Sequence, residues 1–440
     1  MAKLNIRNRN LGKVDKEGKP KPANWEYRFE GAKIDGKRKQ FSKAGFKTKK
    51  DAEIAGTKAL AEYNNAGLKF EPSDMSFADY LDYWFENYVK MSCKYNTQLG
   101  YNNVIENHLK PALGAYKLKS LTPIMLQDYI NKKTAEGYKL SSMKNFMGVL
   151  TGSLKYAVVP AKLLQHSPAD YLKLPNIGEE RRAETNRHVI PIEEYNMMLD
   201  RFDRLSPYHL ALAIGFHTGM RIGEVYALTW DDIDLTEGTI DINKLVYKRN
   251  YGVGVKDVMK TKDKKEEKSA WYFGTPKTRS STRKIKIGKT LIEELRAHRT
   301  KQLEDQLLYG EYYTLLYKKE ETDEKGNKIY RLIEVEKSVP VDLPKANVVF
   351  RRENGQYSSY DTFKYAARII HHELLLKFNF HSLRHTHATM LIESGVSPKA
   401  VQARLGHENI ETTLQTYVHN TEEMEQTAVD VFESILANKA

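Results

Sequence analysis

F-H-S-L-R-H-T-H at residues 380–387 is followed by L-G-H at 405–407 and then by a lone tyrosine, Tyr417, the last in the chain. An arginine, several imidazoles and a phenol in so short a span are the groups needed to grip a phosphodiester, move protons and attack phosphorus. Taken singly, each has an ordinary explanation. His381 and His385 stand four apart on what should be one helix, a spacing that suits zinc, but no glutamate lies between them and no cysteine cluster is near. Arg384 alone would be a salt-bridge residue, and Tyr417 is one tyrosine of twenty-seven. The combination, rather than any member, points to chemistry on phosphorus.

The 440-residue chain is too long for one ordinary domain. Its formal charge of +13 is unevenly spread, since residues 1–70 hold eighteen Lys and Arg against eight Asp and Glu, a surplus of +10. Such asymmetry implies a polyanionic partner, nucleic acid before membrane. A single cysteine, Cys93, excludes an internal disulfide framework. The start of the chain lacks the apolar core of a signal peptide, and no apolar run approaches the roughly 20 residues of a membrane span. A soluble, cytoplasmic protein without membrane contact is expected.

From the N-terminus, N-W-E-Y-R-F-E-G (24–31) alternates aromatic and polar positions as a strand, D-G (35–36) supplies a hairpin turn, and K-R-K-Q-F returns. Thr48 with Asp51 opens a helix. Trp25 and Phe29 read as core, and the basic strands could lie in a DNA groove. Beyond the loop 67–74, S-F-A-D-Y-L-D-Y-W-F places Phe77, Tyr80, Leu81, Trp84 and Phe85 on one helical face. Three further amphipathic helices, one opening near Pro123, complete an all-α region.

A connector at 174–187 rich in charge, Pro and Gly precedes the third region. There T-G-M-R-I-G-E (218–224) sets Arg221 and Glu224 three apart at a helix start, where glycine leaves room for a phosphate. T-I-D-I-N (239–243) and R-K-I-K-I (283–287) read as strands, and T-P-K-T-R-S-S-T-R (275–283) puts Lys277 on or beside a turn. Two charge-dense stretches, 255–268 and 304–344, read as insertions, the first as a solvated loop or hairpin extension. Ser397, Pro398 and Gly406 bound a short helix, so His407 sits just past its end. The tail carries Met424, Ala428, Val431, Phe432 and Ile435 on one stripe that wants an apolar groove. The expected fold is multidomain α+β: a small sheet plus helix at 1–66, an all-α domain at 75–175, and a mainly α domain with a small sheet at 186–440.

The ordered set T-G-M-R-I-G-E, T-P-K-T-x-x-S-x-R, H-S-L-R-H and L-G-H, with tyrosine ten residues on, resembles the tyrosine recombinase family, the phage-type integrases. The helical region is similar to that family's core-binding domain, and the basic N-terminal unit resembles the arm-binding domain of integrases from phages and conjugative transposons. The resemblance implies that Arg221 and Arg384 hold the non-bridging oxygens of the scissile phosphate and that Lys277 protonates the leaving 5′ oxygen. His381 corresponds to the first histidine of the motif, His407 to the one that hydrogen-bonds the phosphate, and Tyr417 to the nucleophile, with Glu224 orienting Arg221. The interval from Lys277 to His381 is longer than the family pattern. A site-specific recombinase working through a 3′-phosphotyrosine to integrate and excise a mobile element or prophage is implied. Its partners would be double-stranded DNA at core and arm sites, three further copies in a homotetramer, and accessory DNA-bending or directionality proteins.

The chemistry also stands on its own terms. Two arginines can neutralise charge spread over phosphoryl oxygens, so no metal is needed. A phosphotyrosine conserves the energy of the broken bond, so neither ATP nor any other cofactor is needed, in keeping with the lack of a G-x-x-x-x-G-K-[ST] loop. The alternatives are a type IB-like topoisomerase, which needs no second DNA-reading module, and a non-catalytic DNA-binding regulator, which requires all four motifs to be accidents.

Overall fold

The computed structural model describes residues 4–14, 17–34, 37–66, 75–175, 188–251, 255–258, 269–276 and 278–409. Lys277, Tyr417, the tail stripe 424–435 and most of the stretch 255–268 lie outside the described residues. Two compact units result: residues 1–75 with 117–119, and residues 76–116 with 120–440.

In the first unit β1 (Asn5–Asn8), β2 (Trp25–Ile34) and β3 (Lys37–Phe46) form an antiparallel sheet in chain order, followed by α1 (Lys49–Ala66). Strand alternation sends Tyr27 and Phe29 to one face, where they pack with Phe41, Phe46 and the small residues Ala55 and Ala59 of α1. Trp25, expected in this core, is half-buried. Glu26 points the other way and is held by Arg7 at 2.8 Å. Thr48 starts α1 by accepting the Asp51 N–H at 3.1 Å.

The second unit opens with α2 (Phe77–Trp84), where Ser76 accepts the Asp79 N–H at 3.0 Å. Phe77, Tyr80, Leu81, Trp84 and Phe85 are all buried, as the helical spacing requires. α2 passes through a wide π turn (Phe85–Val89) into α3 (Lys90–Ser92), and α4 (Tyr95–Val104) passes through another (Ile105–Leu109) into α5 (Lys110–Leu113). α6 (Pro123–Ala135), capped by Thr122, and α7 (Leu140–Val158) close this helical layer.

Then follow α8 (Ile192–Arg201), α9 (Pro207–Thr218) and α10 (Ile222–Val225). After β4 (Ile233–Asp234), β5 (Thr239–Ile242) and β6 (Leu245–Asn250) comes a one-turn α11 (Val255–Val258). The chain continues with β7 (Ser269–Gly274), β8 (Arg283–Lys286), α12 (Lys289–Tyr309), β9 (Thr314–Thr322) and β10 (Lys328–Glu336). It ends, as described, with α13 (Tyr360–His372), α14 (Phe380–Glu393) and α15 (Pro398–Leu405). α9 is apolar almost all round and is the buried axis of this region, with α14 and α12 packed on it. No helix among the described residues is long and apolar enough to cross a membrane.

The architecture is thus mixed helix and sheet, but the single small sheet expected here is two sheets. One has the order β4-β5-β8, the other β6-β7-β10-β9. The stretch 304–344, read as an insertion, is regular structure: α12 runs through its start, and β9 and β10 make a hairpin whose second strand pairs β7 at Tyr330↔Phe273. The stretch 255–268 joins the paired ends of β6 and β7, Asn250↔Ser269, as a hairpin extension would, but its start is not solvated, because Val255 is buried and Lys256 is paired with Asp82 and Glu86.

Candidate active site

α9 stops because Gly219 takes a left-handed conformation, φ 66°. The space at Gly219 is filled: a Cβ there would lie 2.7 Å from Leu405 and 3.0 Å from His387. Close packing, not room for phosphate, explains this glycine. The chain then turns so that Arg221 caps α10 and Glu224 occupies its third position. Glu224 Oε2 accepts the Arg221 backbone N–H at 3.1 Å and Oε1 accepts from the Arg221 guanidinium at 2.8 Å.

Glu224 is buried and serves a second arginine, Arg283, which donates to it at 3.1 Å. Burial works against its charge, yet the fields and hydrogen bonds of Arg283 and Arg221 hold its carboxyl below the usual range. Arg283 also donates to the Arg404 carbonyl at 2.6 Å and the Ser281 carbonyl at 2.9 Å. One planar group thereby joins the T-G-M-R turn, the segment leaving Lys277 and the end of α15. At Gly406, φ 68°, a Cβ would stand 2.8 Å from the Ser280 carbonyl, so the L-G-H turn lies directly on that same segment.

On α14, Asn379 caps the helix and aims the motif residues by their helical phase. Arg384 faces inward, is fully buried, and donates to the Gly219 and Leu405 carbonyls at 2.7 Å each. His381 is exposed on the same helix, its ring edge-on to His385 at 4.5 Å. His407 follows α15, half-buried, its N–H donating to the Gln402 carbonyl at 3.1 Å. Burial, together with the charges of Arg384, Arg221, His381 and Arg283, pushes His407 down to about 3. The two hydrogen bonds of Arg384 tie the H-S-L-R-H helix to the turns that carry Arg221 and His407, and the His407 imidazole, neutral at physiological pH, can donate one N–H to an oxyanion.

Three residues of this neighbourhood escaped the sequence reading. Arg283 was visible as the last letter of T-P-K-T-x-x-S-x-R, without a role. Arg404 donates to His387 Nε2 at 2.9 Å, to the Lys286 carbonyl at 3.0 Å and to the His217 carbonyl at 3.1 Å. His387 must then carry its proton on Nδ1, which donates to the Phe216 carbonyl at 2.8 Å. Burial first, and then Arg404, push His387 down to about 4. His387 closes the F-H-S-L-R-H-T-H stretch without a role being assigned to it, and no local signal marked Arg404, because the two bond each other across 17 residues and otherwise reach backbone carbonyls of distant segments.

Comparison with known proteins adds an independent line. A model described as the phage integrase family matches residues 189–424, one described as a phage integrase N-terminal SAM-like domain matches 76–134, and one described as an arm DNA-binding domain matches 13–63. A "Tyrosine recombinase XerC-like" protein of Caldanaerobacter subterraneus is 28% identical over 394 residues, covering 88% of this chain and 90% of its own length. The Tn1549 transposon integrase, solved in complex with transposon right end DNA, has a TM-score of 0.59 at 19% identity, over 81% of this chain and 99% of that one. A lambda integrase tetramer bound to a Holliday junction has a TM-score of 0.50 at 16% identity, over 95% and 97%.

Proposed function

Because this chain belongs to the phage integrase family, tyrosine recombinases that act on DNA, we propose that it cuts and rejoins DNA at specific sites through a 3′-phosphotyrosine at Tyr417, integrating and excising a mobile element. The observation that carries this reading is that Arg384 donates to the Gly219 and Leu405 carbonyls, which ties the helix bearing His381 to the turns bearing Arg221 and His407. Guanidiniums and a neutral imidazole on elements so tied suit a phosphodiester whose charge grows in the transition state.

In this reading the Tyr417 phenol oxygen attacks phosphorus and the bond to the 5′ oxygen breaks. The phenol proton passes to an imidazole, for which exposed His381 is better suited than His407, whose depressed pKa makes it a weak base. His407 instead donates to a non-bridging oxygen beside Arg221 and Arg384. Lys277 gives its proton to the departing 5′ oxygen. One phosphodiester replaces another, so religation is the same step reversed and needs no nucleotide.

The division into an arm-binding unit (1–66), a core-binding region (75–175) and a catalytic region (186–440) belongs to the same proposal. So do a homotetramer on DNA, assistance from DNA-bending or directionality proteins, a bacterial cytoplasmic setting, and docking of the 424–435 stripe on a neighbouring copy. The integrase-like arm and SAM-like matches favour recombination over topoisomerase action.

Tyr417→Phe removes one oxygen. It should bind its sites normally yet form no covalent adduct on a nicked suicide substrate, while the unmodified protein does so in EDTA. A Tyr417→Phe protein that still became attached to DNA would refute the assignment, and a parent reaction abolished by EDTA would require a metal.

A further inference from the structure

We propose that Lys94, in the helical layer, is a positioning residue for the proton donor: it holds the strand end that delivers Lys277 to the leaving 5′ oxygen. This rests on the reading of Lys277 as that donor. Lys94 Nζ donates to the Pro276 carbonyl at 2.8 Å and the Thr275 carbonyl at 3.2 Å. These are the two carbonyls immediately before Lys277. Pro276 has a fixed φ, so pinning the carbonyls on either side of its ring fixes the direction in which the chain leaves.

Lys94 is exposed, but its backbone is fixed by what surrounds it. It precedes α4 in an extended conformation, φ −72° and ψ 154°, and its neighbour Tyr95 is buried against the strands that lead to Lys277. The Tyr95 hydroxyl accepts the Asn250 N–H at 3.1 Å, and the Arg249 guanidinium lies 4.7 Å over its ring. Tyr247 lies beside Tyr95 and also against Gly274, where an added Cβ would come within 2.6 Å of its ring. The packing thus runs unbroken from Tyr95 through Tyr247 to the end of β7. Further along α4, Asn102 donates to the Val255 carbonyl at 3.2 Å from a fully buried position. Lys256 closes the far side on Asp82 at 2.9 Å and Glu86 at 3.1 Å. Helical layer and strand pair form a docked surface, and of these contacts that of Lys94 reaches the residues next to Lys277 in the chain.

A lysine that merely helped bind DNA would affect every substrate alike. A lysine acting through a proton donor matters only when the leaving group needs a proton. Cleavage should be timed in single turnovers at saturating protein on suicide duplexes with either a 5′-bridging oxygen or a 5′-bridging sulfur. A thiolate leaves unprotonated, since thiols ionise near pH 8.5. Lys94→Met should slow the oxygen substrate about tenfold, short of the ~10²–10⁴ lost with a general acid itself, and should match the parent on the sulfur substrate. Lys94→Arg, which can still donate to both carbonyls, should recover most of the oxygen rate.

Equal slowing of Lys94→Met on both substrates, or no slowing on oxygen, would overturn the proposal. Lys277→Ala run alongside separates the two ideas. If sulfur fails to restore it, the reading of Lys277 itself is wrong. If sulfur restores Lys277→Ala but not Lys94→Met, only the role of Lys94 falls.

Discussion

Arg283 shows how much one side chain can organise. It is the second partner of buried Glu224, and its other donors hold the ends of two segments that carry site residues. Arg283→Ala should cost about 3 kcal/mol of stability, as expected when a buried pair loses one member, and should lower cleavage more than site binding. Arg283→Lys should rescue little, because an ammonium cannot replace three directed bonds from one plane; thermal melts beside suicide-substrate cleavage would check both. His387 makes a prediction in pH. Unfolded, it titrates near 6.5, but folded it is pushed down to about 4. Its contribution is complete above pH 6.5 and is lost as pH falls from 6.5 towards 4, because the unfolded chain takes up a proton the folded one refuses. The loss is up to about 3 kcal/mol. Denaturant midpoints between about pH 7 and pH 4.5 should fall less steeply in His387→Gln than in the parent. The identities of Arg221, Arg384 and His407 could be suspected from motif order alone. That Glu224 would share itself between Arg221 and Arg283 could not, since the second contact spans 59 residues.

Elements were legible where one segment carries its own signal. The α2 face from Phe77 to Phe85 repeats at helical spacing, and Ser76, Thr122, Ser397 and Gly406 mark helix ends by local hydrogen bonding or left-handed backbone. β9 and β10 were illegible for the opposite reason. Their exposed halves are crowded with Lys and Glu, and although the two pair with each other as a hairpin, what joins them to the sheet is the pairing of β10 with β7, which no local window contains. The one-turn α11 was equally hidden, since its place depends on the acids of α2 and the π turn beyond it. Lys256→Glu would set a third carboxylate beside Asp82 and Glu86 in place of the cation they share, leaving Lys110 on the first and Lys90 on the second. The docked surface should weaken by about 1 kcal/mol, and hydrogen exchange should report faster opening in α4 and at 255–258 with the α9 core unchanged. Unaltered exchange in α4 would show that the ion pairs contribute nothing to docking.

Across the whole molecule, charge is divided as sharply as structure. The first seventy residues hold +10 of the +13 surplus, and Arg7 and Arg9 border Glu26 on the sheet face opposite Tyr27 and Phe29. Deleting residues 1–66 should abolish binding to arm-type DNA and spare core-type DNA, and in the intact protein arm binding should weaken steeply with salt as counterions are released. Unchanged binding to every segment of the recombination site after deletion would remove the arm-binding role. The sheet order β6-β7-β10-β9 has a further consequence, in the time course of synthesis. β7 meets β6 as soon as both have emerged, but its other neighbour lies 57 positions later, as Tyr330 opposite Phe273 shows (330 − 273). Until β10 is made, the strand that leads to Lys277 has an open hydrogen-bonding edge, the kind on which nascent chains pair wrongly with one another. Chain growth that stalls between residues 274 and 328 should therefore yield an aggregation-prone intermediate, which ribosome-bound chains arrested before and after β10 would reveal by their differing solubility.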